Sequence, residues 1–105
     1  MKHEQGKKLA QELYHTWEDM LDQGGLSWEV DYRIRKMIHR IIPLFDKIFI
    51  KTTKACEMMR QCTDLTYTVQ RKLKNGEGVY GSLTDLENIF EELIRKTYEF
   101  RIKAG

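Results

Sequence analysis

The sequence predicts an all-α protein, an up-down bundle of three to four helices around one long central helix kinked near Pro43. Three observations lead there. Apolar residues recur at spacings of three and four along most of the 105 residues, which is the period of one helix face. No segment reads as a strand. Pro43 is the one proline in the chain, and a chain this poor in helix breakers suits long helices.

The first helix is expected over residues 3–22. Leu9, Leu13, Trp17 and Met20 form its apolar stripe, widened by Ala10, Tyr14 and Leu21. Gln23-Gly24-Gly25 ends it, because glycine accepts the left-handed conformation of a helix C-terminus. The second helix begins near Ser27, whose hydroxyl can accept from the free N–H groups of the first turn. Glu29 and Asp31 then lie at the positive end of the helix dipole. Val30, Ile34, Met37, Ile38, Ile41, Ile42 and Phe45 keep helical spacing. Pro43 interrupts the pattern by removing a hydrogen bond and crowding the preceding turn, so a kink or a short break is expected near residues 41–43.

Beyond Pro43 the residues Phe45, Ile48, Thr52, Ala55, Met59, Cys62, Thr66, Val69 and Leu73 alternate spacings of three and four. That is a heptad seam on a helix of about 32 residues, some 48 Å long. Its small and mildly polar members predict close helix–helix approach. Residues 41–50 are apolar on several faces, which predicts burial among neighbours or in an oligomer interface. Ile41, Phe45, Ile48, Phe49, Ala55 and Met59 are therefore assigned to self-association or to the core, with a homodimer expected. Lys72-Leu73-Lys74-Asn75-Gly76 reads as the helix end, and residues 75–82 as a glycine-rich loop. The last helix is expected from Ser82 or Thr84, with Thr84 and Glu87 spaced as a capping box. Leu86, Phe90, Leu93, Thr97 and Phe100 form its stripe.

A chain of this length is expected to form one domain, 1–105. With 41% hydrophobic and 32% charged residues, it is too apolar for intrinsic disorder. No apolar run is long enough to span a membrane, and residues 1–8 lack the apolar core of a signal peptide. Cys56 and Cys62, six apart on one helix, would sit about 240° around the axis and about 9 Å along it from each other. That geometry cannot close a disulfide, so two thiols in a reducing cytoplasm are expected.

The net charge of +2 conceals an asymmetry. Residues 1–32 carry three Lys/Arg and seven Asp/Glu, residues 33–74 eleven and three, and residues 75–105 four and six. The basic middle holds a stripe, Lys36, Arg40, Lys47, Lys51 and Lys54, on one face of the central helix if the helix continues through Pro43. Such a stripe can neutralise phosphates, dock an acidic protein, or pair with Glu12, Glu18, Asp19 and Asp22 of the first helix and Glu87, Glu91 and Glu92 of the last. It lacks interleaved aromatics for base stacking. Trp17, Trp28 and Tyr32 are candidates for an exposed aromatic anchor, though two of the three are expected to pack on the bundle.

Other motifs fall short of a site. Gly76-Glu77-Gly78-Val79-Tyr80-Gly81 has the letters of a nucleotide-binding loop, but no strand precedes it. Glu12-x-x-His15 is one half of a di-iron ligand set that requires two such pairs. Cys56 and Cys62 have no further ligands at zinc spacing. Arg33-x5-His39 resembles, in spacing, the Arg/His pair of HEPN-type ribonucleases. The resemblance covers two residues, and it implies a helical fold with an acid–base histidine beside a phosphate-binding arginine. Ile34 stands where a polar residue commonly follows that arginine.

The reading is a small non-enzymatic regulatory or adaptor protein of the cytoplasm. It would bind another protein and work without catalytic, cofactor or metal residues. The alternative is a nucleic-acid-binding helical protein that uses the basic stripe.

Overall fold

Each helix carries its boundary chemistry in its own sequence, and a computed structural model of the chain shows how those boundaries are used. The structure describes residues 2–45 and 53–104, with side chains at 7–45 and 54–96. Among the described residues there are four α-helices: α1 (Lys2–Gln23), α2 (Trp28–Ile41), α3 (Thr53–Lys74) and α4 (Tyr80–Ala104), with a 3-10 helix at Ile42–Leu44. No helix is long and apolar enough to cross a membrane among the described residues.

α1 stops at two glycines, Gly24 and Gly25, with φ of 72° and 78°, values that cost an L-residue about 1–2 kcal/mol. Ser27 caps α2, its Oγ accepting from the Val30 N–H at 3.3 Å. α3 ends at Gly76, φ 71°. There the Gly76 N–H donates to the Leu73 carbonyl and the Glu77 N–H to the Lys72 carbonyl, at 3.3 and 2.8 Å. This paired arrangement satisfies the last carbonyls of a helix.

Two boundaries stand apart. Of the kink or short break that the sequence leaves open near residues 41–43, the structure has the α-helix stop at Ile41, and Pro43 occupies the 3-10 helix, where a missing N–H is tolerated near the start of the element. Residues 46–52, through which a long central helix would run, lie outside the described residues. The second boundary is at α4, which starts at Tyr80 and leaves a loop of residues 75–79. Val79 is buried and its carbonyl accepts from the Leu83 N–H at 2.8 Å, so the chain is anchored and wound a turn before Thr84. Thr84 and Glu87 are thus inside the helix and form no capping box.

α1 packs against α2 and α3, and α3 packs along α4. The heptad seam finds its partners within one chain: Ala55, Met59, Cys62, Thr66 and Val69 are all buried. Ala55, Cys62 and Thr66 among them are small, the residue type that suits close helix–helix approach. The seam shares one buried core with Trp17, which is fully buried. Its indole meets the Phe90 ring edge-to-face, centroids 5.4 Å apart, and its N–H donates to Thr66 Oγ1 at 3.0 Å. Thr66 in turn donates to the Cys62 carbonyl at 2.8 Å. One side chain of α1 is so tied to α3 by a hydrogen bond and to α4 by ring contact.

Replacing Thr66 by valine preserves the shape but strands the indole N–H in the core. A buried unsatisfied donor costs about 1–3 kcal/mol. Thr66→Val should therefore lower unfolding stability by that amount in urea melts followed by far-ultraviolet circular dichroism, whereas Thr66→Ser, which keeps the hydroxyl, should cost less.

Candidate functional site

The amphipathic period of α2 divides it into two faces. Val30, Ile34, Met37 and Ile41 are buried. Trp28, Tyr32, Arg35 and His39 follow at spacings of four, three and four, and Ile42 continues the row. At 3.6 residues per turn these five lie within about 80° of arc, on the side away from the buried row, and extend about 21 Å. All five are exposed. Trp28 is 81% and Tyr32 56% accessible, values that stand out because most large aromatic surface is removed from water on folding. Lys36 borders the row, its ammonium 5.7 Å from the Tyr32 ring centroid, within cation–π range.

The orientation of this face is set from behind. Arg33, on the flank of α2, donates from Nε to both carboxylate oxygens of Glu87 at 3.1 and 3.0 Å and from Nη2 to Thr84 Oγ1 at 3.0 Å. Its Nη2 also pairs with Glu87 Oε1, and Glu29 lies 3.7 Å from Nη1. The bond to Glu87 raises the Arg33 pKa above its ordinary value, against the opposing effect of burial. Two turns on, Arg40 pairs with Glu91. The pairs advance together along both helices, so α2 and α4 run in the same direction. On the outer side, Arg35 donates to Asp31 at 2.5 Å, and that bond raises the Arg35 pKa.

The predicted basic stripe is divided by this arrangement. Lys36 and Arg40 are on α2, Lys54 is exposed on α3, and Lys47 and Lys51 lie outside the described residues. Arg40 is engaged with Glu91, one of the acidic residues expected to pair internally. Of the residues assigned to self-association or core, Ile41, Ala55 and Met59 are buried within the chain. Phe45 is half-buried against Tyr14, ring centroids 5.6 Å apart, and Ile48 and Phe49 lie outside the described residues. Of the three candidate aromatic anchors, one packs on the bundle instead of the two expected. Trp17 is the core, while Trp28 and Tyr32 are exposed. The signal that finds them is their position on the helical wheel, opposite Val30, Ile34, Met37 and Ile41.

The remaining motifs are scattered. Six positions along α2 turn Arg33 and His39 to different sides; Arg33 is committed to α4 and His39 faces outward. Gly76 ends α3 and Gly81 lies in the first turn of α4. Among the described residues no three His, Cys, Asp or Glu side chains gather as they would around a metal ion. His15 lies 3.6 Å from Glu18, and Glu18 also accepts from the Tyr14 hydroxyl at 2.8 Å. Cys56 and Cys62 are buried and not joined in a disulfide, and burial pushes the Cys62 thiol up to about 12. Comparison with protein-family models, with curated proteins and with solved structures gives no match to this chain.

Arg33 and Glu87 are 18% and 30% exposed, Arg40 and Glu91 40% and 48%. The first pair is multiply bonded and sheltered, the second exposed. Arg33→Ala should destabilise by about 1.5–3 kcal/mol, and Arg40→Ala by about 0–1 kcal/mol, a contrast that urea melts resolve. At Cys62 the unfolded thiol ionises near its ordinary 9.0 while the folded one stays protonated to about 12. The stability linked to this site is complete below the lower value and is lost as pH rises through the upper one. A thiol reagent should accordingly label Cys62 at the rate of unfolding, and rapidly once denaturant is added; rapid labelling of the folded chain would contradict its burial.

Proposed function

We propose that this chain is a small non-enzymatic binding protein, a regulator or adaptor that engages another protein through the outer face of α2. The observation that supports this reading is the exposure of Trp28 and Tyr32 on a helix whose inner face is already fully packed. Indole and phenol rings concentrate binding energy at interfaces because they offer large apolar area at small entropic cost. The bundle behind them is held by the Trp17 contacts and the Arg33–Glu87 clamp, so the anchors project from a rigid support. The working compartment in this reading is the cytoplasm, where two buried thiols persist reduced.

A nucleic-acid partner is the second reading. It is favoured by the placement of Lys36 beside Tyr32, since cations with exposed rings can follow a single strand. A monomer suffices for either mode. Sedimentation equilibrium decides whether the dimer expected from the apolar run at 41–50 accompanies binding.

A photo-crosslinking amino acid at His39, on the outer face, should give adducts in a lysate of the cells that encode the chain. The same group at Gln61, exposed on α3, should not. Trp28→Ala with Tyr32→Ala should diminish the adducts from position 39. Nuclease-sensitive adducts would transfer the assignment to nucleic acid, and equal adducts from both positions would remove α2 as the binding face.

A further inference from the structure

The outer face of α2 also has an electrostatic polarity that bears on the partner's chemistry, an inference resting on the reading of that face as the binding surface. Near Trp28 the carboxylates are matched within the chain, Glu29 to Arg33 at 3.7 Å and Asp31 to Arg35 at 2.5 Å. Toward the other end come Arg35, Lys36, His39 and Arg40. Asp31 and Glu91 answer the two arginines. The Lys36 ammonium has no carboxylate partner among the described residues, and His39 is exposed beside it. The face therefore runs from an aromatic, charge-balanced end to an end where the Lys36 ammonium stands unmatched among the described residues.

We propose that this face takes an acidic amphipathic segment of another protein, lying along α2. Apolar side chains of the segment would cover Trp28 and Tyr32, and a carboxylate of the segment would meet the Lys36 ammonium, with the His39 imidazole beside it as a hydrogen-bond donor. The anchors at i, i+4, i+7 and i+11 make one side of a helical recognition surface, and about 21 Å accommodates some fourteen helical residues. A nucleic acid fits less well. Phosphate tracking needs several uncommitted cations, and here Arg33, Arg35 and Arg40 are bonded to carboxylates. Trp28, the ring best placed to stack a base, stands beside Glu29 and Asp31, whose carboxylates already hold Arg33 and Arg35, so that end offers no uncommitted cation to a phosphate. A protein segment can cover the balanced end with apolar side chains and place its carboxylate at Lys36.

The test is selection of random displayed peptides of about fourteen residues against the full chain, with Trp28→Ala and Lys36→Glu variants for counter-selection after circular dichroism confirms their folds. Enriched peptides should combine Asp/Glu with apolar residues. They should lose about tenfold or more in affinity on Trp28→Ala, weaken on Lys36→Glu and with added salt, and shift Trp28 emission to shorter wavelength. Peptides that need Trp28 but are neutral or basic would overturn the acidic partner and leave the binding face standing. Peptides indifferent to Trp28→Ala, or no enrichment at all, would overturn both. Displacement of the peptides by single-stranded RNA or DNA oligomers at comparable concentration would overturn the proposal in favour of nucleic acid.

Discussion

Burying an indole removes a large apolar surface from water but leaves one N–H that must find an acceptor. In this chain Trp17 of α1 finds it in Thr66 of α3, while its ring abuts Phe90 of α4. Three helices distant in sequence are thereby brought into one register. Thr66 can serve because its hydroxyl both accepts from the indole and donates to the carbonyl one turn back. Both groups are satisfied without water. The small Cys62 lies one turn before Thr66 on α3, and the buried Leu13, Met59, Leu86 and Leu93 belong to the same core.

α2 is attached differently. Its apolar row reaches the same core, but its rotation about its own axis is reinforced at the side by a guanidinium. Arg33 answers Glu87, Thr84 and Glu29 together, and Arg40 answers Glu91. Charge-assisted bonds of this kind are directional, so they favour one rotation of α2 over neighbouring ones that bury similar area. The consequence is on the other side of the helix. With Val30, Ile34, Met37 and Ile41 inward and Arg33 engaged laterally, Trp28 and Tyr32 are left exposed among the described residues.

That outward pair gives the proposed function its physical footing. Exposed aromatic area is costly to hydrate, and here it is presented on a helix braced from two directions. A surface that needs no rearrangement loses little entropy on binding. The charges along the same helix are almost all matched internally, which leaves Lys36 as the unmatched cation of that face among the described residues.

Much of this fold was legible in the residues. The helical period, the glycine stops at Gly24 and Gly76, the serine cap of α2 and the close-packing seam from Ala55 to Val69 are local matters. They depend on backbone sterics and on neighbours within one or two turns. Which helix answers which charge is not local. Thr84 and Glu87 have the spacing of a cap, and in the sequence nothing separates that role from the one they perform for Arg33, 51 and 54 residues away. Likewise Trp17 and Trp28 are both aromatic residues at helical positions, and one became the core while the other stayed in water. The stripe from Lys36 to Lys54 could be drawn as one face only on an unbroken helix, and the α-helix stops at Ile41. Short-range periodicity and steric preference set the helices, their apolar faces and the ends marked by Gly24, Ser27 and Gly76, whereas the start of α4 was not legible in the same way. Tertiary structure alone decided which polar groups are spent inside the bundle and which aromatic rings remain outside, because that choice is made by partners that meet only when the helices pack.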